Sequence, residues 1–186
     1  RENRNNFHLN LHLSQLDLLA LAEKLSAIKK EWLDEGEETI EEYLFQHLVE
    51  ELLEIPGVSG GEELVRDYIT EKIAPHVDYI TTDHAGNLLA EKTYRGGNGP
   101  TILLNAHMDT VFAFEPNREI VKDGNTWSST KGILGADDRA GVAVLIHLAE
   151  ALLKSSFSGK VKFIFTVEEE CGLFGASQVH DYFLWG

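Results

Sequence analysis

Histidine and acidic side chains gather in three short segments of this 186-residue chain. His107 and Asp109 follow one apolar run, the three glutamates at 168–170 follow another, and Asp137 and Asp138 form a pair between them. Imidazole nitrogens and carboxylate oxygens are the protein ligands of zinc, and carboxylates also bind harder cations. The residue types therefore indicate a divalent metal site.

The position of these segments supports the same interpretation. The apolar runs at 101–106 and 161–167 predict buried strands, and ligand sites in open α/β sheets form beyond the carboxyl ends of strands. If the two strands run parallel, His107 and the glutamates at 168–170 lie at the same edge of the sheet. Asp137 opens a predicted helix, whose amino end stabilises negative charge. Three adjacent carboxylates beside a buried strand also require neutralisation, which a cation supplies.

Each segment on its own has a simpler explanation. A His-x-Asp pair is commonly a structural hydrogen bond, an Asp pair is commonly a helix cap, and a run of glutamates is commonly a solvated turn. The combination of all three at the ends of strands favours the metal site. Asp109 lies two residues after His107, so in an extended segment it is on the same side and can orient the imidazole.

The rest of the chain predicts the elements that position these segments. Apolar spacings of three and four residues indicate helices, and alternating or continuous apolar runs indicate strands. Ser59 and Glu62 have the spacing of a capping box and are predicted to start a helix that Pro75 ends. The other predicted helices lie at 14–36, 40–55, 142–153 and 172–183, the strands at 77–82, 87–92, 101–106 and 161–167, and a polar loop at 115–132. This order predicts an α/β fold, with a mixed, largely parallel sheet and helices on its faces.

Residues 1–13 alternate between apolar and polar side chains, which predicts an edge strand or an extended arm. His8 and His12 in this arm are also four residues apart, as helical metal ligands often are. The strand interpretation is favoured because no carboxylate accompanies the two histidines.

Charge and composition exclude several classes of function. Lys and Arg number 16 against 31 Asp and Glu, so the net charge is −15 and a nucleic-acid partner is not expected. No stretch without charged residues approaches the about 20 residues that cross a bilayer, so no membrane partner is expected. Cys171 is the single cysteine, which excludes an internal disulfide and favours a reducing, cytoplasmic compartment.

The three segments, in this order and spacing, resemble the zinc-dependent peptidases of the peptidase T, carboxypeptidase G and aminoacylase family. The matching runs are 107–111, 135–141 and 169–176, with further similarity at 55–60 and 83–90. The resemblance covers about residues 40 to 186. It implies the phosphorylase/hydrolase-like fold of a zinc exopeptidase catalytic domain, which is the α/β class predicted above.

The resemblance also implies a role for each of five residues. His107 resembles a terminal ligand of one zinc ion, Glu170 resembles a terminal ligand of a second, and Asp137 resembles the carboxylate that bridges the two. Glu169 resembles the general base, and Asp109 resembles the residue that orients His107.

Three neighbouring residues, Asp138, Arg139 and Glu168, receive no catalytic role from the resemblance. It does imply a cis peptide bond between Asp137 and Asp138.

The implied function is that of a metallopeptidase, similar to exopeptidases and aminopeptidases, that hydrolyses peptide or amide bonds with water activated by two metal ions. Small peptides or N-acyl amino acids are the implied substrates, and a homo-oligomer is the implied assembly. Family members have two further metal ligands and a smaller lid or dimerisation domain after the part that this chain matches. We therefore expect residues 1–36 to form an arm and a helix, and residues 37–186 to form the amino-terminal part of the catalytic domain. We expect the lid domain to be absent and this chain to bind zinc weakly or partially by itself.

Two other functions remain open from the sequence. The first is a non-catalytic remnant or assembly module that binds metal weakly. The second, a carboxylate-rich Mg²⁺ phosphohydrolase, is less favoured because it does not require His107 and because no glycine-rich phosphate loop is present.

Overall fold

The computed structural model describes residues 14–34 and 36–186. The predicted arm at 1–13, with His8 and His12, lies outside the described residues. The helices are α1 (Gln15–Ala27), α2 (Glu37–Glu54), α3 (Glu63–Ile73), α4 (Ala136–Lys154), α5 (Phe174–Gln178) and α6 (Asp181–Trp185), with 3₁₀ turns at Lys30–Asp34 and Ala74–His76. The strands are β1 (Tyr79–Thr82), β2 (Leu88–Tyr94), β3 (Thr101–His107), β4 (Ile120–Asp123), β5 (Thr126–Ser129) and β6 (Gly159–Thr166).

The chain forms two compact units, one made of the described residues up to Gln46 and one made of residues 47–186. The domain boundary at residue 36 remains a prediction. In the first unit the predicted helix at 14–36 ends early, because α1 stops at Ala27 and Trp32 lies on a 3₁₀ turn. The Trp32 ring stacks on Tyr43 with 4.5 Å between ring centroids, so tertiary packing replaces the last helical turns.

The second unit contains a four-stranded sheet in the order β1-β2-β6-β3. β1 pairs with β2 and β2 pairs with β6 in antiparallel fashion, whereas β3 and β6 are parallel. The predicted α/β class with a mixed sheet is confirmed, although only one of these three pairings is parallel. Helix α4 connects the two parallel strands and packs on β3, as expected for a crossover connection.

The parallel register brings the carboxyl ends of β3 and β6 to the same edge of the sheet. His107 is the register partner of Thr166, and the Met108 amide donates to the Thr166 carbonyl oxygen at 2.8 Å. The position inferred for the first and third segments is therefore confirmed.

The two parallel strands differ in burial. β6 lies between two neighbours and is almost entirely buried, as predicted. β3 has only one neighbour among the described strands, and its Ile102 and Leu103 side chains are 39% and 42% exposed. The prediction that β3 is buried was wrong because a continuous apolar run does not distinguish a central strand from an edge strand.

The core of this unit is formed by apolar side chains of α2, α3 and α4 and of the inner strands. Fully buried examples are Leu52, Ile69, Val142, Phe163 and Phe165. None of the helices in the described part of the chain is both long and apolar enough to cross a membrane.

The capping box predicted at Ser59 and Glu62 is not formed. Helix α3 begins at Glu63, and neither predicted side chain caps it. The Ser59 hydroxyl donates to Asp109 Oδ2 at 2.7 Å, and Glu62 Oε1 accepts from the amides of Gly60 and Glu168. Ser59 and Glu62 therefore form hydrogen bonds with groups near the edge of the sheet, and not with the first turn of α3 as the sequence predicted.

Two further predictions are corrected. The polar loop predicted at 115–132 contains the β4–β5 hairpin, which forms a separate two-stranded sheet. The helix predicted at 172–183 is divided into α5 and α6, because Val179 is extended and His180 starts a new helix. His180 Nδ1 accepts the Tyr182 amide at 3.0 Å and so caps α6.

Candidate metal centre

Three side chains meet beyond the ends of β3 and β6. One ligand atom from each of His107, Glu169 and Glu170 lies within 4.8 Å of the other two. His107 is the last residue of β3, and the two glutamates follow β6, so the parallel register produces this cluster. Three donor atoms at this spacing are enough to hold one metal ion.

Asp137 reaches the same histidine from the first turn of α4. Its Oδ1 lies 3.1 Å from His107 Nε2, and its side chain is 88% exposed. The peptide bond between Asp137 and Asp138 is cis, as predicted. Asp137 is not one of the three residues in the cluster, although it touches the ring nitrogen that faces Glu169.

Asp109 is completely buried beneath the cluster. Its Oδ1 accepts the Glu169 amide at 2.9 Å, and its Oδ2 accepts the Glu170 amide at 3.1 Å and the Ser59 hydroxyl at 2.7 Å. Burial alone would raise the pKa of this carboxyl, but these hydrogen bonds and the His107 ring hold the pKa well below its usual range. Asp109 is therefore a fixed negative charge beside His107.

Both ring nitrogens of His107 have oxygen neighbours. Nδ1 lies 3.1 Å from the Asp109 carbonyl oxygen and 3.3 Å from Asp109 Oδ1. Nε2 lies 3.1 Å from Asp137 Oδ1. Burial of the ring disfavours its charged form, but the hydrogen bonds to Asp109 and Asp137 outweigh burial and raise the pKa of His107 to about 9. The arrangement stabilises a positive charge at Nε2, which a proton or a metal ion can provide.

Asp138 has a positioning role that the sequence did not suggest. Its Oδ1 accepts the Gly141 amide at 3.0 Å, and its Oδ2 accepts the His107 amide at 3.4 Å. Burial raises the pKa of this carboxyl. Asp138 thereby links the first turn of α4 to the end of β3, although an Asp at a helix start is too common a pattern to reveal that link.

Arg139 is a buried charged residue next to the candidate site, which the sequence did not predict. It is completely buried, and its Nη2 donates to the Gly57 carbonyl oxygen at 3.4 Å. Nε and Nη1 have no hydrogen-bond partner among the described residues. Burial lowers the pKa of Arg139 to about 10, while Asp109 and Glu62 act in the opposite direction. No signal in the sequence indicated this burial, because the predicted helix began at residue 142 and Arg139 precedes it.

The donor set fits a divalent cation. One imidazole nitrogen and the carboxylates of Glu169, Glu170 and Asp137 are zinc-type ligands, and the carboxylates outnumber the single histidine. The buried Asp109 against His107 is the outer contact that commonly orients a metal-binding histidine. The residues brought together are therefore those that the sequence singled out, with Glu169 inside the cluster as well.

Comparison with known proteins identifies relatives of this chain. The family model described as peptidase family M28 matches residues 87–182, which contain His107, Asp109, Asp137, Glu169 and Glu170. The uncharacterized protein YqjE of Bacillus subtilis (strain 168) is 38% identical over 99 residues, covering 52% of this chain and 26% of that protein. Peptidase T of an Exiguobacterium species is 30% identical over 146 residues, covering 69% of this chain and 35% of that protein.

A solved peptidase structure also resembles this chain in its fold. The tripeptidase from Staphylococcus aureus superposes with a TM-score of 0.65 at 27% identity, over 75% of this chain and 40% of that chain. The two curated relatives above are much longer, so this chain spans about a quarter to a third of their length. The similarity to peptidase T inferred from the three segments is confirmed, and with more than half of its residues matched by the family model, the chain belongs to peptidase family M28.

Proposed function

We propose that this chain carries the metal-binding part of a zinc-dependent peptidase that acts on small peptides. The observation that carries the proposal is the convergence of His107, Glu169 and Glu170 within 4.8 Å at the ends of two parallel strands. Membership of a peptidase family supports the reaction class. A structural role alone would not require three ionisable side chains to face one another at this edge.

His107 Nε2 and a carboxylate oxygen of Glu170 would hold zinc, and Asp137 would be the carboxylate shared between two ions. Asp137 supports this assignment because its Oδ1 lies 3.1 Å from His107 Nε2. When bound, zinc polarises the carbonyl of the bond to be cleaved and lowers the pKa of water. The chain itself contributes the orientation of His107, which Asp109 fixes through Nδ1.

Glu169 would move the proton. Its carboxylate is about one third exposed, and Oε2 lies 3.8 Å from His107 Nε2, so it borders both the cluster and solvent. A carboxylate in this place takes a proton from the attacking water and transfers it to the leaving amine. Because Glu169 also belongs to the three-residue cluster, a role as a metal ligand is the alternative that the experiment below separates.

The substrate class follows from the relatives and not from the cluster itself. The name of the tripeptidase points to short peptides as the substrate, and peptidase T supports a peptide bond as the bond that is cleaved. N-acyl amino acids remain the alternative substrate, because the same residues suit both amide bonds. The cytoplasm and a homo-oligomer stay predictions from the sequence.

A matched pair of substitutions tests the function. Glu169→Gln should retain zinc and lower the rate of tripeptide hydrolysis by a factor of about 10² or more, because it removes a proton acceptor. Glu170→Gln should lower zinc affinity itself, because it removes a ligand. Zinc content after dialysis and the initial rate of hydrolysis are the two measurements. Loss of zinc from Glu169→Gln would show that the two roles are reversed, and hydrolysis independent of zinc would reject the proposed function.

A further inference from the structure

The segment that enters the candidate metal centre is held by its backbone amides. Four consecutive amides, from residue 167 to residue 170, each donate to a side chain from a distant part of the chain. Val167 donates to Asn87 Oδ1 at 3.1 Å, Glu168 to Glu62 Oε1 at 3.0 Å, Glu169 to Asp109 Oδ1 at 2.9 Å, and Glu170 to Asp109 Oδ2 at 3.1 Å. The sheet ladder ends before this segment, so these side chains replace the partners that a strand would provide.

Glu62 is the acceptor in the middle of this row. It is 4% exposed, and its Oε1 also accepts the Gly60 amide at 2.9 Å. One carboxylate oxygen therefore joins the loop before α3 to the segment after β6. Glu168 has a φ of 49°, a left-handed conformation that is uncommon for a residue other than glycine. The bond from Glu62 fixes the backbone at the residue immediately before Glu169 and Glu170.

Asn87 holds the segment from its two ends. It is completely buried, and while its Oδ1 accepts the Val167 amide, its Nδ2 donates to the Gly175 carbonyl oxygen at 2.8 Å. Nδ2 also donates to Asp83 Oδ2 at 2.8 Å. These partners fix the orientation of the amide, so Asn87 closes the loop that carries the two glutamates of the cluster.

Two buried carboxylates in this arrangement share a buried counter-charge. Asp109 is 0% exposed, Glu62 is 4% exposed, and the guanidinium of Arg139, also 0% exposed, is electrostatically coupled to both. Buried carboxylates are retained at low cost only with hydrogen bonds and a cation nearby, and both conditions are met here. A glutamate that served only to cap α3 would not need this environment.

We propose that Glu62 is a positioning residue of the metal centre, which fixes the backbone at Glu168 so that the Glu169 and Glu170 side chains face His107. The inference rests on the proposed metal site for its functional consequence. Its structural part, the hold on the 168–170 amides, is independent of any metal. In this proposal Glu62 itself contacts neither the substrate nor the metal ion.

Three substitutions and one control test the proposal. Glu62→Ala removes the acceptor, Glu62→Gln keeps an oxygen at the same place, and Glu62→Asp keeps the charge but shortens the side chain. Glu63→Ala is the control, because Glu63 is the exposed neighbour on α3. Two measurements are made on each protein: amide hydrogen exchange without metal, and zinc affinity by titration with zinc alone.

Glu62→Ala should accelerate exchange at the amides of Glu168–Glu170 by about tenfold or more, while β6 amides such as that of Phe163 keep their protection. It should also weaken zinc binding by about 10- to 100-fold, the usual effect of losing an outer contact of a metal site. Glu62→Gln should restore most of the zinc affinity, and Glu63→Ala should change neither measurement. If Glu62→Ala fails to fold, Glu62→Asp should give the same effects at smaller size.

The proposal is overturned if exchange at Glu168 is unchanged in Glu62→Ala and Glu62→Asp. It is likewise overturned if exchange rises equally along β6, because an equal rise would indicate a loss of global stability. It is also overturned if zinc affinity stays the same while the 168–170 amides become unprotected. If the unsubstituted protein binds no zinc, the proposed function fails, and the exchange measurement still decides whether Glu62 holds the segment.

Discussion

At the residue scale, a proton and the proposed metal ion would compete for His107. Its ring is held between Asp109 and Asp137, and without metal both contacts favour the imidazolium. The same contacts present Nε2 to the glutamates of the cluster. Among the side chains that carry a positive charge near neutral pH, histidine is the one that commonly also serves as a metal ligand.

The metal-free protein should therefore lose stability as the pH rises. The pKa of His107 is raised from 6.5 to about 9 in the folded chain, so its contribution is complete below pH 6.5 and is lost as the pH rises through 9. Urea unfolding in a chelator should give a free energy of unfolding that falls between pH 6 and pH 10. Other groups also titrate in this range, so the same measurement is made on His107→Gln. Its free energy of unfolding should fall less steeply with pH, because the contribution of His107 is missing. Equal slopes in the two proteins would contradict the assigned contacts.

Several residues of the candidate site could be identified from the sequence. His107, Asp137 and Glu170 were recognisable because their types suit a metal and because each follows or starts a predictable element. Asp109 was recognisable from its spacing to His107. These are local signals, and the structure places all four residues at one edge of the sheet.

The role of Glu62 was not recognisable in this way. It meets Glu168 across 106 positions of sequence, and its three-residue spacing from Ser59 equally suits a helix cap. Asn87 meets Val167 across 80 positions. Contacts over such separations depend on how the elements pack, which the local pattern does not contain.

At the element scale, α4 connects the two strands that carry the site and presents one face to β3. Val142 on this helix is completely buried, while Val144, two positions later, is 49% exposed. The two valines have the same side chain and lie on the same helix. A comparison of their alanine variants therefore distinguishes the effect of burial from the effect of helix propensity.

Val142→Ala should lower the free energy of unfolding by about 2 kcal/mol, from two buried methyl groups and the cavity that they leave. Val144→Ala should change it by less than about 0.5 kcal/mol, since alanine favours the helix and little buried surface is lost. Denaturant unfolding at one pH measures both. A similar loss in the two variants would mean that α4 does not pack as described.

Helices and strands were predicted well where the spacing of apolar residues stayed regular over the whole element. The helix predicted at 40–55 and the strand predicted at 161–167 correspond to α2 and β6 within a few residues. The β4–β5 hairpin was missed because each strand has only four residues, which are too few to establish a periodicity in the sequence. The exposed edge at β3 was missed because strand order is a property of the sheet and not of the strand.

At the scale of the whole molecule, the acidic excess and the metal centre belong together. A net charge of −15 repels anions from the surface and attracts cations. Glu169, Glu170 and Asp137 thus keep a negative potential that a divalent ion can satisfy. The central claim is that this ion binds at the ends of β3 and β6.

A crystal of the protein grown with zinc in excess, measured at the zinc absorption edge, tests this claim most directly. We expect an anomalous scattering peak about 2.0–2.2 Å from His107 Nε2 and from a carboxylate oxygen of Glu170, the usual zinc–ligand distances. The peak should be absent in His107→Ala crystals grown in the same way. A folded protein with zinc elsewhere, or with no zinc between His107 and Glu170, would show that the proposed metal site is wrong.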